Sequence, residues 1–126
     1  MEQLKIPAGY QTVMPYLIVP EASKFSEFMQ QVFDSKETMR VMRDDTHIMH
    51  GELSVGGSTI MFAESNNQWE AQNAGMFIYV NNADETFKKA IENGAASILE
   101  ISDKEYGRSG GVKDPCGNVW WITSVL

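Results

Sequence analysis

One cysteine, two histidines and a shortage of base against acid narrow this chain first. A lone Cys116 cannot form an internal disulfide, which suits a reducing compartment. Ten Lys and Arg face 17 Asp and Glu, a formal net charge of −7 at pH 7. Phosphate backbones are gripped by clustered cations, so nucleic acid is not expected as a partner. The acidic balance mildly favours a cationic ligand but is more simply a solubility feature. No apolar run nears the ~20 residues of a membrane span, so no membrane partner is expected. The start, Met1-Glu2-Gln3-Leu4-Lys5-Ile6-Pro7, lacks the charged-then-apolar order of a secretory signal, and a cytoplasmic location is expected. Ser-His-Asp spacing, a zinc-binding pair and a phosphate-cradling glycine loop are all missing. What is present suffices for one globular domain over residues 1–126, with 43% hydrophobic and 21% charged residues.

Residues 1–10 read as a loosely held arm. Thr12 to Val19 reads as a strand, with Pro15 near its entry, where a missing N–H is tolerated. Pro20-Glu21-Ala22-Ser23 opens a helix, with an acid placed in its first turn. Phe25, Phe28, Met29, Val32 and Phe33 then recur at helical spacing, the mark of a core-facing stripe. Thr38–Arg43 and Ile48–Val55 read as strands, Gly56-Gly57 as a two-residue hairpin turn, and Ser58–Glu64 as the returning strand. Ser65 to Asn73 is polar and aperiodic, a linker.

The order then repeats. Met76–Val80 reads as a strand, and Asn82 caps a helix that carries Phe87, Ala90 and Ile91 inward and stops at Asn93-Gly94. Ser97–Ile101, Gly110–Lys113 and Val119–Val125 supply the remaining strands. Both halves read β-α-β-β-β: module one about 11–64, linker 65–74, module two about 75–126. Strand–helix–strands repeated twice give an α+β domain.

The last hairpin, Gly110-Gly111-Val112-Lys113-Asp114-Pro115-Cys116-Gly117-Asn118-Val119-Trp120-Trp121-Ile122, turns through Asp-Pro and Gly-Asn into a β-branched and aromatic strand. It resembles the closing hairpin of the vicinal oxygen chelate superfamily, which includes glyoxalases, bleomycin-resistance proteins and PhnB-like proteins. With Ile91-Glu92-Asn93-Gly94-Ala95 it looks closest to the PhnB-like members, and the resemblance covers about Val13 to Val125. It implies two tandem β-α-β-β-β modules forming an open, cup-shaped mixed sheet with helices on the outer face. It also implies a homodimer whose cups are completed by both chains, and a divalent metal held by one side chain from each of four strands.

Those four positions fall at Met14, Met61, Met76 and Trp121. Hard and borderline cations need oxygen or imidazole nitrogen, so no metal and no cofactor is expected. Cu(I) accepts thioethers and leaves a Met-lined copper site conceivable; the ordinary meaning of such residues is soft packing or the wall of an apolar pocket.

A turn at Gly56-Gly57 pairs Leu53 with Ile60, Glu52 with Met61 and His50 with Ala63. If Met61 faces the cup, His50 and Glu52 face it too, and Leu53, Ile60 and Phe62 face the helix. His50 and Glu52 could act as a general base and its partner, grip a ligand, hold a displaced metal weakly, or simply sit at a solvated mouth. His47, out of phase, faces the other way. Arg108 is a weaker candidate for an anionic group, and Trp69 in the linker for an aromatic lid. Trp120 belongs to the core, and the turn around Cys116 holds no His or Lys beyond Lys113 at its edge, so a catalytic thiolate is not expected.

Three readings follow. One is a metal-free binder of a small apolar or aromatic molecule of unknown identity, using Met14, Tyr16, Met61, Met76 and Trp121 for contact and His50 and Glu52 for orientation. The second is an isomerase or lyase using His50 and Glu52, with or without a displaced metal. The third is a protein-interaction module with a collapsed cup.

Overall fold

Alternating apolar residues on the strands and helical stripes between them resolve, in a computed structural model describing residues 3–126, into ten elements. These are β1 (Tyr16–Val19), α1 (Ala22–Phe33), β2 (Lys36–Met42), β3 (Ile48–Val55), β4 (Ser58–Glu64), β5 (Gly75–Tyr79), α2 (Ala83–Glu92), β6 (Ala96–Lys104), β7 (Gly107–Lys113) and β8 (Val119–Ser124). They form two four-stranded mixed sheets, ordered β1-β4-β3-β2 and β5-β8-β7-β6. In each, the edge strand before the helix runs parallel to the last strand and the other pairs are antiparallel. The repeated order is the duplication read from the sequence, in an open α+β architecture. Among the described residues no helix is long and apolar enough to cross a membrane.

Each sheet buries one face under its helix. Phe25, Phe28, Met29 and Val32 of α1 are buried with Leu17, Val19, Leu53, Ile60 and Phe62, and the Phe25 and Phe62 rings meet edge to face at 5.3 Å. Each such side chain contributes roughly 1.5–3 kcal/mol on burial. Phe33 carries the core into the second module, its ring 4.9 Å from that of Trp120. Leu53 pairs with Ile60 and Glu52 with Met61, as the two-glycine turn requires. Gly56 and Gly57 both have positive φ, 53° and 87°, the condition for a turn that matches strand twist.

Several boundaries differ from those expected. β1 begins at Tyr16, not Thr12, because Pro15 offers no N–H and joins the sheet only by accepting from the Met61 N–H at 2.9 Å. β6 and β7 are longer than read, since Glu105-Tyr106 turns the chain and lets pairing run back to Lys104↔Gly107. Glu21 stands at the N-cap position of α1 without a side-chain cap bond, so no acid occupies the first turn. Ile91 is 40% exposed, because the inward stripe of α2 is Ala83, Phe87 and Ala90 and Ile91 lies one position off it. The arm is anchored at its end: Thr59 Oγ1 donates to the Gly9 carbonyl at 2.7 Å, and the Gln11 amide bonds both the N–H and C=O of Thr59.

The closing turn is built on a buried carboxylate. Asp114 accepts from the N–H groups of Cys116 (2.8 Å) and Asn118 (3.0 Å), from Asn118 Nδ2 (3.1 Å) and from Trp120 Nε1 (2.8 Å). That last bond holds Trp120 in the core, so alternation sends Trp121 to the opposite face.

Candidate functional site

The face of the first sheet turned away from α1 carries a continuous row. Tyr16 of β1 pairs with Met61 of β4, Met61 with Glu52 of β3, and Glu52 with Met39 of β2. His50 lies two residues back along β3, on the same face.

These positions make a hydrogen-bonded chain of four side chains. Tyr10 Oη donates to Glu52 Oε1 at 2.6 Å, His50 Nε2 lies 2.7 Å from Glu52 Oε2, and Tyr16 Oη lies 3.0 Å from His50 Nδ1. Glu52 is only 5% exposed, with Tyr10 bonded to it from the arm. Burial pushes its carboxyl upward, but the bonds from Tyr10 and His50 outweigh this and hold it below the usual carboxylate value. The same bond to an anion raises the Tyr10 phenol. Glu52 is therefore a carboxylate at neutral pH.

Beside Tyr16 opens a cavity of about 630 Å³, walled by Ile18, Met49, Ala63 and Trp69, with Arg43 and Glu64 among its polar residues. Met49 reaches it through an irregularity: Val41 pairs with His50 but Met42 with Ile48, leaving Met49 unpaired while Ile48 is fully buried. Trp69 is set by a short turn in which Asn66 Oδ1 accepts from the N–H groups of Gln68 and Trp69. A larger cleft, about 1140 Å³, lies between the modules against Phe33, Ile60, Met76 and Trp120, and neither His50 nor Glu52 lines it.

The expected site residues are thus partly brought together. His50, Glu52, Tyr16 and Met61 share one face. Met14 lies ahead of β1, half-buried. Met76 is not on the face that carries His50 and Glu52: it pairs with Trp120, packs partly buried against the core and lines the cleft between the modules, because β5 alternates and Phe77, paired with Trp121, takes the outer face. Trp121 is half-buried on that outer face with its ring against Gly111, where any Cβ would collide with it. Arg108 is not available to an anionic ligand in the manner expected. It forks onto Asp84 at 2.6 and 3.1 Å and reaches Asp103 at 2.9 Å, which ties the start of α2 to the β6–β7 hairpin. His47 bonds Asp44 at 2.8 Å, and backbone N–H groups plus this imidazole hold Asp44 down at about 2. Burial pushes the Cys116 thiol up to about 11, so it is protonated at neutral pH.

Tyr10, Met49 and Phe77 entered no expectation. Tyr10 looked like part of a free arm, the bulge at Met49 has no sequence mark, and Phe77 was displaced by a one-residue error in facing.

The side chains do not fit the divalent metal that the vicinal oxygen chelate resemblance implies. Met61, Met76 and Trp121 offer no oxygen or imidazole donor, and both Glu52 oxygens already accept hydrogen bonds. Among the described residues no three His, Cys, Asp or Glu side chains converge on one point. Of the methionines that a copper ion would need, Met61 lies on the face of the first sheet turned away from α1, while Met76 packs against the core from the second sheet.

A sequence model of the Glyoxalase/Bleomycin resistance protein/Dioxygenase superfamily matches residues 10–122. An uncharacterized protein of Mycobacterium bovis is 27% identical over 118 residues, spanning 84% of this chain and 78% of that protein. The PhnB protein of Bacillus cereus superposes with a TM-score of 0.72 at 17% identity, over 91% of this chain and all of that one (100%). TnmS3, an antibiotic binding protein of Streptomyces sp. CB03234, gives 0.68 at 15% identity over 92% and 98%. At these identities the structural likenesses establish the fold.

Proposed function

The chain belongs to the Glyoxalase/Bleomycin resistance protein/Dioxygenase superfamily, and on that premise we propose that it is a metal-free protein binding a small apolar or aromatic molecule. The observation that carries this is the cavity of about 630 Å³ between Tyr16, Met49 and Trp69, adjoining a fixed row of polar side chains. Ligand pockets typically span about 300–1,000 Å³, with mostly apolar walls and a few polar groups that fix orientation. A cavity of that size also counts against a collapsed cup serving only protein interaction.

A homodimer fits the same reading. Phe77, Tyr79 and Tyr106 cluster on the outer face of the second sheet, centroids 5.1 and 6.0 Å apart, and remain exposed in the single chain. Aromatic surface of this kind suits a face that closes over a partner's cup. Sedimentation or light scattering at micromolar concentration should report twice the chain mass, and a strict monomer would sink the dimer.

The 2.7 Å contact of His50 with Glu52 supports a second reading, an isomerase or lyase in which the imidazole acts as general base. Metal analysis and ligand screening separate the two. The protein and a His50→Ala, Glu52→Ala double variant are incubated with Ni, Zn, Fe, Mn and Co salts, desalted and assayed for metal. Both are then screened for thermal shift against planar aromatics and antibiotics. Binding predicts no retained metal and a saturable shift, worth about 2.7 kcal/mol at a hundred times Kd. Near-stoichiometric metal lost in the double variant overturns it.

A further inference from the structure

The four-residue chain has a direction, set by the carboxylate in its middle. An ionised Glu52 can only accept. Tyr10 Oη–H satisfies Oε1 at 2.6 Å, and the His50 Nε2 contact to Oε2 at 2.7 Å is favourable only if Nε2 carries the proton. The opposite tautomer would set two lone pairs against each other in a place where Glu52 is 5% exposed. A neutral imidazole protonated on Nε2 presents a lone pair on Nδ1, so the 3.0 Å contact with Tyr16 is a phenol O–H donated inward. Tyr16 has no second proton. Its oxygen therefore offers only lone pairs to whatever approaches in the cavity it lines.

Deepening the binding function proposed above, and resting on it, we infer that the cavity selects aromatic molecules carrying a hydroxyl group, which donates its proton to Tyr16 Oη while the ring lies among Ile18, Met49 and Trp69. The run of donors is then ligand O–H to Tyr16, Tyr16 to His50 Nδ1, and His50 Nε2 to Glu52, with Tyr10 closing it from the other side. An ether or carbonyl oxygen placed at the same point would meet lone pairs and lose the bond. His50 and Glu52 are positioning residues here: they fix which way the Tyr16 proton points. Arg43 in the same cavity does not disfavour the hydroxyl, since it repels only a ligand that is already cationic.

The test compares 2-naphthol with 2-methoxynaphthalene by calorimetry at pH 8. Wild-type protein should hold the naphthol about tenfold more tightly, the equivalent of about 1.4 kcal/mol and of one neutral hydrogen bond. Tyr16→Phe, at a half-exposed position, should bring the ratio to about one. Equal affinities in the wild type overturn this inference and leave the binding function standing. Failure of both probes, with no shift anywhere in the wider screen, overturns the binding function itself. A measurement independent of any ligand is ¹⁵N NMR of the His50 ring, which should show a protonated Nε2 and a pyridine-like Nδ1. The reverse tautomer, or an imidazolium at pH 8, overturns the directional chain whatever binds.

Discussion

Replacing Asp114 by Ala should remove much of the stability of this domain, because one buried carboxylate serves four donors. Its oxygens accept from Cys116 N–H, Asn118 N–H, Asn118 Nδ2 and Trp120 Nε1 at 2.8 to 3.1 Å, and Asp114 is 4% exposed. All three donor residues are buried as well, so water reaches their N–H groups only if the turn opens. An unsatisfied buried donor costs about 1–3 kcal/mol. Four such costs do not add in full, because the turn relaxes into the space left by the carboxylate, and a net loss of about 3–5 kcal/mol is expected. Against a total stability of about 5–15 kcal/mol this is a large fraction. At this chain length it lowers Tm by roughly 10–20 °C. Asp114→Asn should cost less, about 2–3 kcal/mol, since one oxygen remains but an NH₂ now faces a donor. Urea unfolding followed by tryptophan fluorescence measures both, with an unchanged m-value marking a change in the native state alone. A loss below about 1 kcal/mol in the Ala variant would refute the claim that this carboxylate organises the closing turn. Because Trp120 is held by the same carboxylate, the Ala variant should also disturb the facing of Trp121.

Gly51→Ala places a methyl against the buried Phe62 ring, which already packs on Phe25, and should cost about 1–3 kcal/mol by overpacking in the same urea assay. Tyr10→Phe removes one donor from Glu52, so an NMR titration should show the Glu52 carboxyl moving upward towards its ordinary value. Stability should fall in acid. Arg40 and Ser26 hold Glu37 below 4.5, and Tyr10 and His50 do so for Glu52 against the upward push of burial. Groups depressed in the native state contribute fully above their unfolded value and lose that contribution as pH falls through the folded one, here from about 4.5 downward. Urea midpoints at neutral, mildly acidic and strongly acidic pH should decline in that window, and a Glu52→Gln variant should flatten the decline.

What could be read in the amino-acid order was whatever depends on near neighbours. The helical stripe Phe25–Phe33, the Asn82 cap, the Gly56-Gly57 turn and hence the pairing of Glu52 with Met61 follow from local geometry, and each is found. The shared face of His50 and Glu52 followed too, because a tight turn fixes register and register fixes facing. What failed were statements with no local anchor. Met76 was placed by likeness rather than by a turn, and it packs beside Trp120 against the core and the cleft between the modules, with Phe77 outward. Arg108 looked free until the fold brought Asp84, 24 residues away, to its guanidinium. The Tyr10–Glu52 bond spans 42 residues and the Tyr16–His50 contact 34. No periodicity encodes such distances, since they arise only when the sheet sets β1 beside β4 and β4 beside β3. The sequence by itself determined two duplicated modules and the residues available for a site. The tertiary structure decided which of them touch, because contact between distant residues depends on strand order and the path of the arm, not on any local signal.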